Sequence, residues 1–374
     1  MAKQFVCDMT TGNETALLIR FSMPMLFGNI FQQFYNMVDS IVVGNYVGKN
    51  ALAAVGMTSS LTFFYFALCN GFATGAGVLM SQYFGMKNEK RVKDALGNSI
   101  YLMLGMGLLV SIISVLLAEP TLRLLNTPES IFDDALLYTR IVCGGVLAVV
   151  LYNGISAMLR ALGDSVTPLI FLIIASILNV IGDLLFVLVF HMGVAGVAVA
   201  TILAQTLSAL GCIVYAVLKN PYFRLKRENM KPDRILLMKC LRLGIPFGMQ
   251  GSLIALSCIA LQAVINRFGE NVIAAFAATS RIEQLVQQPY NSLGTAVATF
   301  TAQNLGAGNI ERVKRGYRRS TMLVVVFSLV MCGAMFLWGG PFVGIFVDDA
   351  EVIAIGGRAI RITSLFYIPL GMIY

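Results

Sequence analysis

The sequence predicts an all-α polytopic membrane protein made of two parallel repeats, and three observations support this prediction. Of the 374 residues, 57% are hydrophobic and 12% are charged, about half of the charged share of a soluble domain. Apolar runs of membrane-spanning length recur along the chain, and one polar loop sequence occurs twice. A chain with so few charges could not cover its own surface in water, which excludes an ordinary cytosolic enzyme.

Ten apolar segments are long enough to cross a hydrocarbon core about 30 Å thick. They lack the alternation of polar and apolar residues that is typical of membrane β-barrels, so we predict helices. The predicted spans, numbered 1 to 10, are 16–43, 52–80, 95–118, 134–158, 166–190, 193–218, 240–266, 273–303, 318–340 and 352–374.

Basic residues are concentrated in the connectors that follow the even-numbered spans. Those connectors hold 18 of the 27 lysine and arginine residues, whereas the odd-numbered connectors hold Lys49, Arg123 and Arg267. The positive-inside rule therefore predicts that the even connectors and the N-terminus are cytoplasmic. The net charge of +8 is explained as a marker of topology, and we expect no nucleic-acid partner.

A polar loop sequence occurs twice, 221 residues apart. The segment Gln82–Lys93 reads QYFGMKNEKRVK and the segment Gln303–Lys314 reads QNLGAGNIERVK, with six identities at equivalent positions. The repeat begins at span 1 and again at span 7, so its unit has six helices. Because an even number of helices returns the chain to its starting side, the halves are predicted to be parallel and related by an axis along the membrane normal.

Acidic residues at membrane depth indicate function, because a charge there costs at least about 2.5 kcal/mol. Asp39 lies in span 1. Asp183 lies in span 5, four residues after Asn179, so this amide and carboxyl share one helix face. Thr201 in span 6 can add a hydroxyl. Such a group either shares a proton or binds a small hard cation through its oxygens; the alternatives are polar contacts between helices and aspartates near the interface that reach water.

Two polar stretches are candidates for the walls of a central cavity. They are Gln32, Gln33, Tyr35 and Asn36 in span 1, and Glu283, Gln284, Gln287 and Gln288 at the start of span 8. For the second stretch, an interfacial cluster at the outer end of a helix is an equal alternative.

Pro24 and Pro246 occupy matching positions near the starts of spans 1 and 7. A proline removes a backbone donor and can bend a helix. We therefore predict a hinge at Pro24 if the packing of span 1 changes with the state of Asp39. A proline in a first helical turn, with no hinge role, is the alternative.

The sequence contains no Walker, HExxH or GxSxG motif, and its seven cysteines include no CxxC pair. These patterns would be expected of a nucleotide-binding protein, a zinc protease, a hydrolase or a metal and redox centre. We expect no cofactor and no enzyme activity.

Four motifs are distributed over the two halves of the chain. They are PMLFGNIFQQFYNMVDSIVVGNYVGKNALAAVG from Pro24, RALGDSVTP at Arg160–Pro168, GIPFGMQGS at Gly244–Ser252 and TAQNLGAGN at Thr301–Asn309. Together they resemble the multidrug and toxic compound extrusion (MATE) family. The first is similar to the opening of such a transporter, the second to the link between its helices 4 and 5, and the last two to its second-half signatures. The resemblance covers essentially the whole chain and points to the bacterial DNA-damage-inducible-F-like branch.

The resemblance implies a twelve-helix antiporter that expels organic, often cationic and lipophilic, compounds in exchange for H⁺ or Na⁺. The family's ion site is an Asp in helix 1, an Asn-x-x-x-Asp pair in helix 5 and a Thr in helix 6. It maps onto Asp39, Asn179, Asp183 and Thr201. Some relatives also carry an acid in the middle of helix 7, which this chain lacks, so coupling is expected to depend on the first half.

The expected organisation is a first lobe (1–218), a cytoplasmic linker (219–239) and a second lobe (240–374). The second lobe reaches only its fourth span, so we expect about two helices of the family fold to be missing. We predict alternating access in a monomer that lies in the bacterial inner membrane and contacts the lipid bilayer, small organic substrates and the coupling ion.

Two other functions stay open. A lipid-linked oligosaccharide flippase of the same superfamily tends to carry basic residues in its cavity. Spans 1, 2, 5, 6 and 7 have essentially no central lysine or arginine, which favours a cationic or neutral substrate. A channel and an integral-membrane enzyme are more remote alternatives.

Overall fold

The computed structural model describes residues 7–125, 127–265 and 267–374, and these form a helical bundle. The prediction of an all-α polytopic protein is confirmed. The described residues contain twelve α-helices: α1 (Glu14–Val42), α2 (Lys49–Gly85), α3 (Glu89–Leu124), α4 (Glu129–Gly144), α5 (Val146–Ala161), α6 (Val166–Leu184), α7 (Gly193–Lys219), α8 (Arg234–Ile265), α9 (Glu270–Gly306), α10 (Ile310–Val343), α11 (Ala350–Ser364) and α12 (Tyr367–Ile373).

Each predicted span corresponds to one helix or to a bent pair of helices. Among the described residues, six helices are long and apolar enough to cross a membrane, or up to eight if each bent pair counts as one. The remaining two are α1 and α9. These helices carry the glutamines and acids that the sequence suggests as cavity walls, and such residues reduce the apolar character of a helix. A helix that borders a polar cavity is expected to have this composition.

Two spans are broken, so the expectation of one continuous helix in each is wrong. Span 4 consists of α4 and α5, which are bent by 45°, and span 10 consists of α11 and α12, which are bent by 58°. The first break lies at Gly145, a residue type that weakens a helix interior. The apolar pattern runs across both breaks and therefore does not reveal them.

The helix boundaries repeat with the offset seen in the sequence. The equivalent helices α2 and α9 begin at Lys49 and Glu270, and each has 37 residues. Each follows a glycine with positive φ, 122° at Gly48 and 90° at Gly269. The bent pairs α4–α5 and α11–α12 begin at the same offset. We call α1–α7 the first half and α8–α12 the second half.

The halves meet mainly along α2, which packs against α8 and α9, while α1 packs against α9 and α10. Glycines permit a close approach of α2 and α8. A Cβ on Gly75 would lie 2.5 Å from the backbone nitrogen of Gly244, and one on Gly71 would overlap Gly248. Small residues allow membrane helices to approach in this way. We call the end of the bundle where α2 and α9 finish and α3 and α10 begin the closed end.

Candidate functional site

Two carboxyl groups meet inside the first half of the bundle. Asp39 lies in the last turn of α1 and Asp183 in the last turn of α6. Their carboxyl groups interact electrostatically, and Asp183 is fully buried. Ionised carboxylates offer only acceptors. Two neighbouring carboxyl groups are therefore satisfied only by a proton on one of them or by a cation between the two.

An amide and a hydroxyl complete the predicted group. Asn179 lies one turn before Asp183, and its Nδ2 donates to Oγ1 of Thr201 on α7 at 3.3 Å. The Thr201 hydroxyl donates to the carbonyl oxygen of Val197 at 3.0 Å. The four residues that the sequence predicts as the ion site are thus brought together by α1, α6 and α7.

Several oxygens of this group are buried without a hydrogen-bond donor among the described residues. They are Oδ1 of Asp39, Oδ1 of Asn179 and both carboxyl oxygens of Asp183. Buried acceptors are costly unless they are satisfied. Carboxylate and amide oxygens are also the ligands that hard cations prefer. The chemistry of the group fits a proton or a small cation.

Both helices that carry the acids end in a π-helical turn. Residues Val43–Val47 extend α1, residues Leu185–Val189 extend α6, and the two turns contact each other. Such turns are rare and occur frequently at functional sites. Val43, Val187 and Val197 belong to a buried apolar cluster there, which keeps water away from one side of the carboxyl pair. The apolar pattern of spans 1 and 5 does not reveal these turns.

Two tyrosines lie beside the carboxyl pair. Tyr35, a predicted cavity residue, lies beside Gln32, another predicted cavity residue, and interacts electrostatically with Asp39 and Asp183. Tyr138 of α4 also interacts electrostatically with both aspartates. Tyr138 is not among the residues predicted from the sequence, where its only signal is a polar atom in an apolar span. The other predicted residues of span 1, Gln33 and Asn36, are half-buried and exposed, respectively.

The predicted residues of α9 lie in a different polar region. Glu283 interacts electrostatically with Tyr367 of α12 and lies beside Thr363 of α11. Nε2 of Gln288 donates to the carbonyl oxygen of Gln284 at 2.9 Å. Gln287 is half-buried. In the described part of the chain, Glu283 thus interacts with α11 and α12 and not with the carboxyl pair.

Pro24 lies inside α1, which continues through it from Glu14 to Val42. One turn later, Gly28 packs closely against α6, where an added Cβ would lie 3.2 Å from Leu172. The helix is thus anchored just beyond the proline. A hinge at Pro24 stays a prediction.

One protein-family model, described as MatE, matches residues 24–185 and again residues 246–373. Its second match begins at Pro246, the partner of Pro24 in the repeat. The "Probable multidrug resistance protein YpnP" of Bacillus subtilis (strain 168) is 32% identical over 366 residues, which cover 98% of this chain and 82% of that protein. The "Multidrug export protein MepA" of Staphylococcus aureus (strain NCTC 8325 / PS 47) is 23% identical over 359 residues, 96% of this chain and 79% of that protein.

Solved structures share the fold. One described as the "Outward-facing conformation of a multidrug resistance MATE family transporter of the MOP superfamily" superposes with a TM-score of 0.91 at 23% identity, covering 99% of this chain and 82% of that chain. A structure of a MOP superfamily transporter from Pyrococcus furiosus, whose description reports a "reverse polarity of binding pocket", has a TM-score of 0.90 at 24% identity, with coverages of 99% and 82%.

Proposed function

The chain belongs to the MatE family of multidrug efflux transporters, and from this premise we propose that it is an antiporter that exports organic, often cationic and lipophilic, compounds in exchange for H⁺ or Na⁺. The electrostatic interaction between the carboxyl groups of Asp39 and Asp183 carries the proposal. Relatives named as multidrug resistance and export proteins support the substrate class. Proteins of this family are transporters, and this argues against the alternative of an integral-membrane enzyme.

The carboxyl pair can couple an ion to the arrangement of the helices. Two ionised carboxylates in a dry site repel each other, and a proton or a cation removes that repulsion. Asp183 is held on α6 beside α7, whereas Asp39 is on α1, which also contacts the second half. There, Asn29 of α1 donates to the hydroxyl of Ser292 on α9 at 3.2 Å. Ion binding at Asp39 therefore changes the helix that links the two halves, and Pro24 lies on the same helix.

The identity of the ion depends on how the pair is satisfied. One proton shared by the two neighbouring carboxyl groups satisfies both, and we favour H⁺ for this reason. Na⁺ would instead be held by the oxygens of Asp39, Asn179, Asp183 and Thr201. In either case, the ion and the exported compound drive opposite steps, because each ligand shifts the equilibrium only through its different affinity for the two states.

We also propose the wider arrangement that the sequence suggests. Residues 1–218 and 240–374 are two lobes joined by a linker, the N-terminus and the closed end are cytoplasmic, and the protein acts as a monomer in the bacterial inner membrane. The distribution of basic residues supports this orientation. Membership of the DNA-damage-inducible-F-like branch stays a prediction. A flippase of lipid-linked pyrophosphates has to bind an anionic group. The oxygens of the carboxyl site are acceptors and would repel such a group, which makes this function unfavourable.

The test uses the purified full chain in proteoliposomes. A fluorescent lipophilic cation is added with an imposed pH gradient, an imposed Na⁺ gradient, or neither. We expect saturable transport that depends on one gradient and is reversed when that gradient is reversed. Transport that ignores both gradients would overturn the antiporter proposal. Translocation of a fluorescent lipid-linked oligosaccharide without transport of the cation would favour the flippase.

A further inference from the structure

The closed end of the bundle contains two backbone contacts that are related by the repeat. A Cβ on Gly85, the last residue of α2, would overlap the carbonyl oxygen of Gln303 on α9. A Cβ on Gly306, the last residue of α9, would overlap the carbonyl oxygen of Gln82 on α2. Both residues of each contact are identical in the duplicated loop sequence. The two helices thus cross at a pseudo-twofold axis with no space for a side chain.

Two ion pairs flank this crossing and follow the same symmetry. Arg91 at the start of α3 is 3.5 Å from the carboxylate of Asp233, which precedes α8. Its repeat partner Arg312, at the start of α10, is 3.3 Å from the carboxylate of Glu14, which begins α1. The second pair joins one half to the other, because α1 belongs to the first half and α10 to the second, whereas the first pair joins α3 to the linker segment that leads into α8.

The second ion pair is reinforced by the chain that precedes α1. The backbone nitrogen of Met9 donates to Oε1 of Gln303 at 3.0 Å, and the Met9 carbonyl accepts from Nδ2 of Asn304 at 3.1 Å and from Arg312. Met9 is fully buried. Two residues earlier, the Cys7 nitrogen donates to the carbonyl oxygen of Gly163 in the first half at 3.2 Å.

Gln303 adds a direct connection, since its Nε2 donates to the carbonyl oxygen of Ala161 in the first half at 3.0 Å. It therefore accepts from the N-terminal segment and donates to α5 with one side chain, and it is fully buried. The repeat-related Gln82 is half-buried. The closed end is symmetric in its backbone contacts but asymmetric in its side-chain bonds.

We propose that these contacts form a gate at the closed end. The two glycine contacts define its shut position, and the segment Cys7–Glu14 stabilises that position. The duplicated loop sequence keeps its glutamine, glycine and arginine because these residues form the two sides of the gate. Opening the closed end separates α2 from α9 and breaks both ion pairs. The Arg312 side dominates because Glu14 and Arg312 are 17% and 11% exposed, against 35% and 50% for Asp233 and Arg91, and exposed pairs contribute little.

This proposal rests on the alternating access of the proposed function, but its test does not use transport. Spin labels are placed at Lys90 and Glu311, two exposed and repeat-related positions in the first turns of α3 and α10. The more accessible native cysteines, Cys7, Cys258 and Cys332, are replaced by serine. The distance distribution of the full chain in lipid is then measured by pulsed electron resonance. We expect one predominant short distance.

Arg312→Gln removes the bonds to Glu14 and Met9, and we expect the long-distance population to rise about tenfold, as for the loss of a hydrogen-bonded charge pair. Arg318→Gln, on the exposed surface of α10, is the matched control and should leave the distribution unchanged. Equal distance distributions for the two variants would overturn the role of the segment Cys7–Glu14.

Gly85→Ala and Gly306→Ala test the shut position directly. Each adds only a methyl group at a helix end, and we expect each to make the long distance predominant. Gly105→Ala and Gly333→Ala lie in helices where an added Cβ meets nothing within 4 Å, and they should resemble the parent. A short distance retained by both test variants would overturn the gate, whether or not the protein transports. If they do not fold, Glu14→Gln decides the question: it removes the ion pair with Arg312 but leaves the bonds to Met9, and we expect the long-distance population to rise about two- to fivefold. An unchanged population would overturn the gate.

Discussion

The carboxyl groups of Asp39 and Asp183 interact with each other from two different helices, α1 and α6. Neither group therefore binds a proton or a cation independently of the other, and the pair behaves as one unit. The two helices of this interaction have different neighbours. Asp183 is packed within the first half, while α1 continues to the second half through the bond between Asn29 and Ser292.

Substitutions in the carboxyl pair should be strongly non-additive. We expect Asp39→Asn, Asp183→Asn and the double variant to lose gradient-driven efflux to the same extent, because each single change already removes the shared site. Efflux of a fluorescent cation from everted vesicles measures the loss. Glu119→Gln, which changes an exposed acid paired with Arg123 and Arg140, should transport normally. Separate partial losses that add in the double variant would contradict a single unit.

Thr201 should matter through its hydroxyl group. Its oxygen accepts from Nδ2 of Asn179, so Thr201→Val leaves that amide without its partner, at a cost of about 1–3 kcal/mol. We expect a lower apparent ion affinity by about tenfold or more for Thr201→Val and a near-normal value for Thr201→Ser. The ion concentration at half-maximal transport is the measurement, and equal values for the two variants would show that the hydroxyl has no role.

Tyr138 should contribute through its phenolic oxygen, because the ring lies beside both aspartates. We expect Tyr138→Phe to slow transport about two- to tenfold, the size of one lost polar interaction, because it removes the phenolic oxygen that interacts with both aspartates, while the protein folds normally. Tyr101→Phe, an exposed tyrosine on α3, is the matched control. Initial rates at saturating gradient provide the comparison. A normal rate for Tyr138→Phe would exclude the hydroxyl from the site.

The segment that connects the halves should lose stability when Asn98 is changed. This fully buried side chain accepts from the Asp233 nitrogen at 2.7 Å and donates to the Lys231 carbonyl at 3.2 Å. Asn98→Ala leaves both backbone groups unpaired, and we expect a cost of about 1–3 kcal/mol. The control Asn88→Ala removes only an exposed helix cap, worth about 1 kcal/mol. Thermal unfolding in detergent should rank Asn98→Ala as the less stable variant.

Acidification should weaken the contribution of Glu14. Its own backbone N–H and the guanidinium groups of Arg315 and Arg312 lower the pKa of this carboxyl against the opposing effect of desolvation. A lowered folded-state pKa stabilises the protein above the unfolded pKa of about 4.3, and the gain disappears as the pH falls below it. We expect the wild type to be more stable than Glu14→Gln by about 1 kcal/mol or less at neutral pH, and the difference to vanish as the pH falls through the lowered folded-state pKa. A constant difference in stability from neutral to acidic pH would contradict the ionic origin.

Much of this arrangement could be predicted from the sequence because it depends on spacing within one chain segment. The interval between Asn179 and Asp183 places them on one helix face, and the repeated loop places α9 at the offset of α2. The role of Tyr138 could not be predicted, because sequence spacing does not show that α4 lies beside α1 and α6. The bonds of Met9 were missed for the same reason, since they join positions almost 300 residues apart.

The lengths of α2 and α9 have a consequence for the ionic environment of the closed end. Helices of 37 residues extend about 55 Å at 1.5 Å per residue, well beyond a hydrocarbon layer of about 30 Å. At least one end of each helix therefore projects into electrolyte, where charges are screened over about 8 Å at physiological ionic strength. Salt should accordingly weaken the half-exposed ion pair of Arg91 and Asp233 more than interactions of the fully buried Asp183.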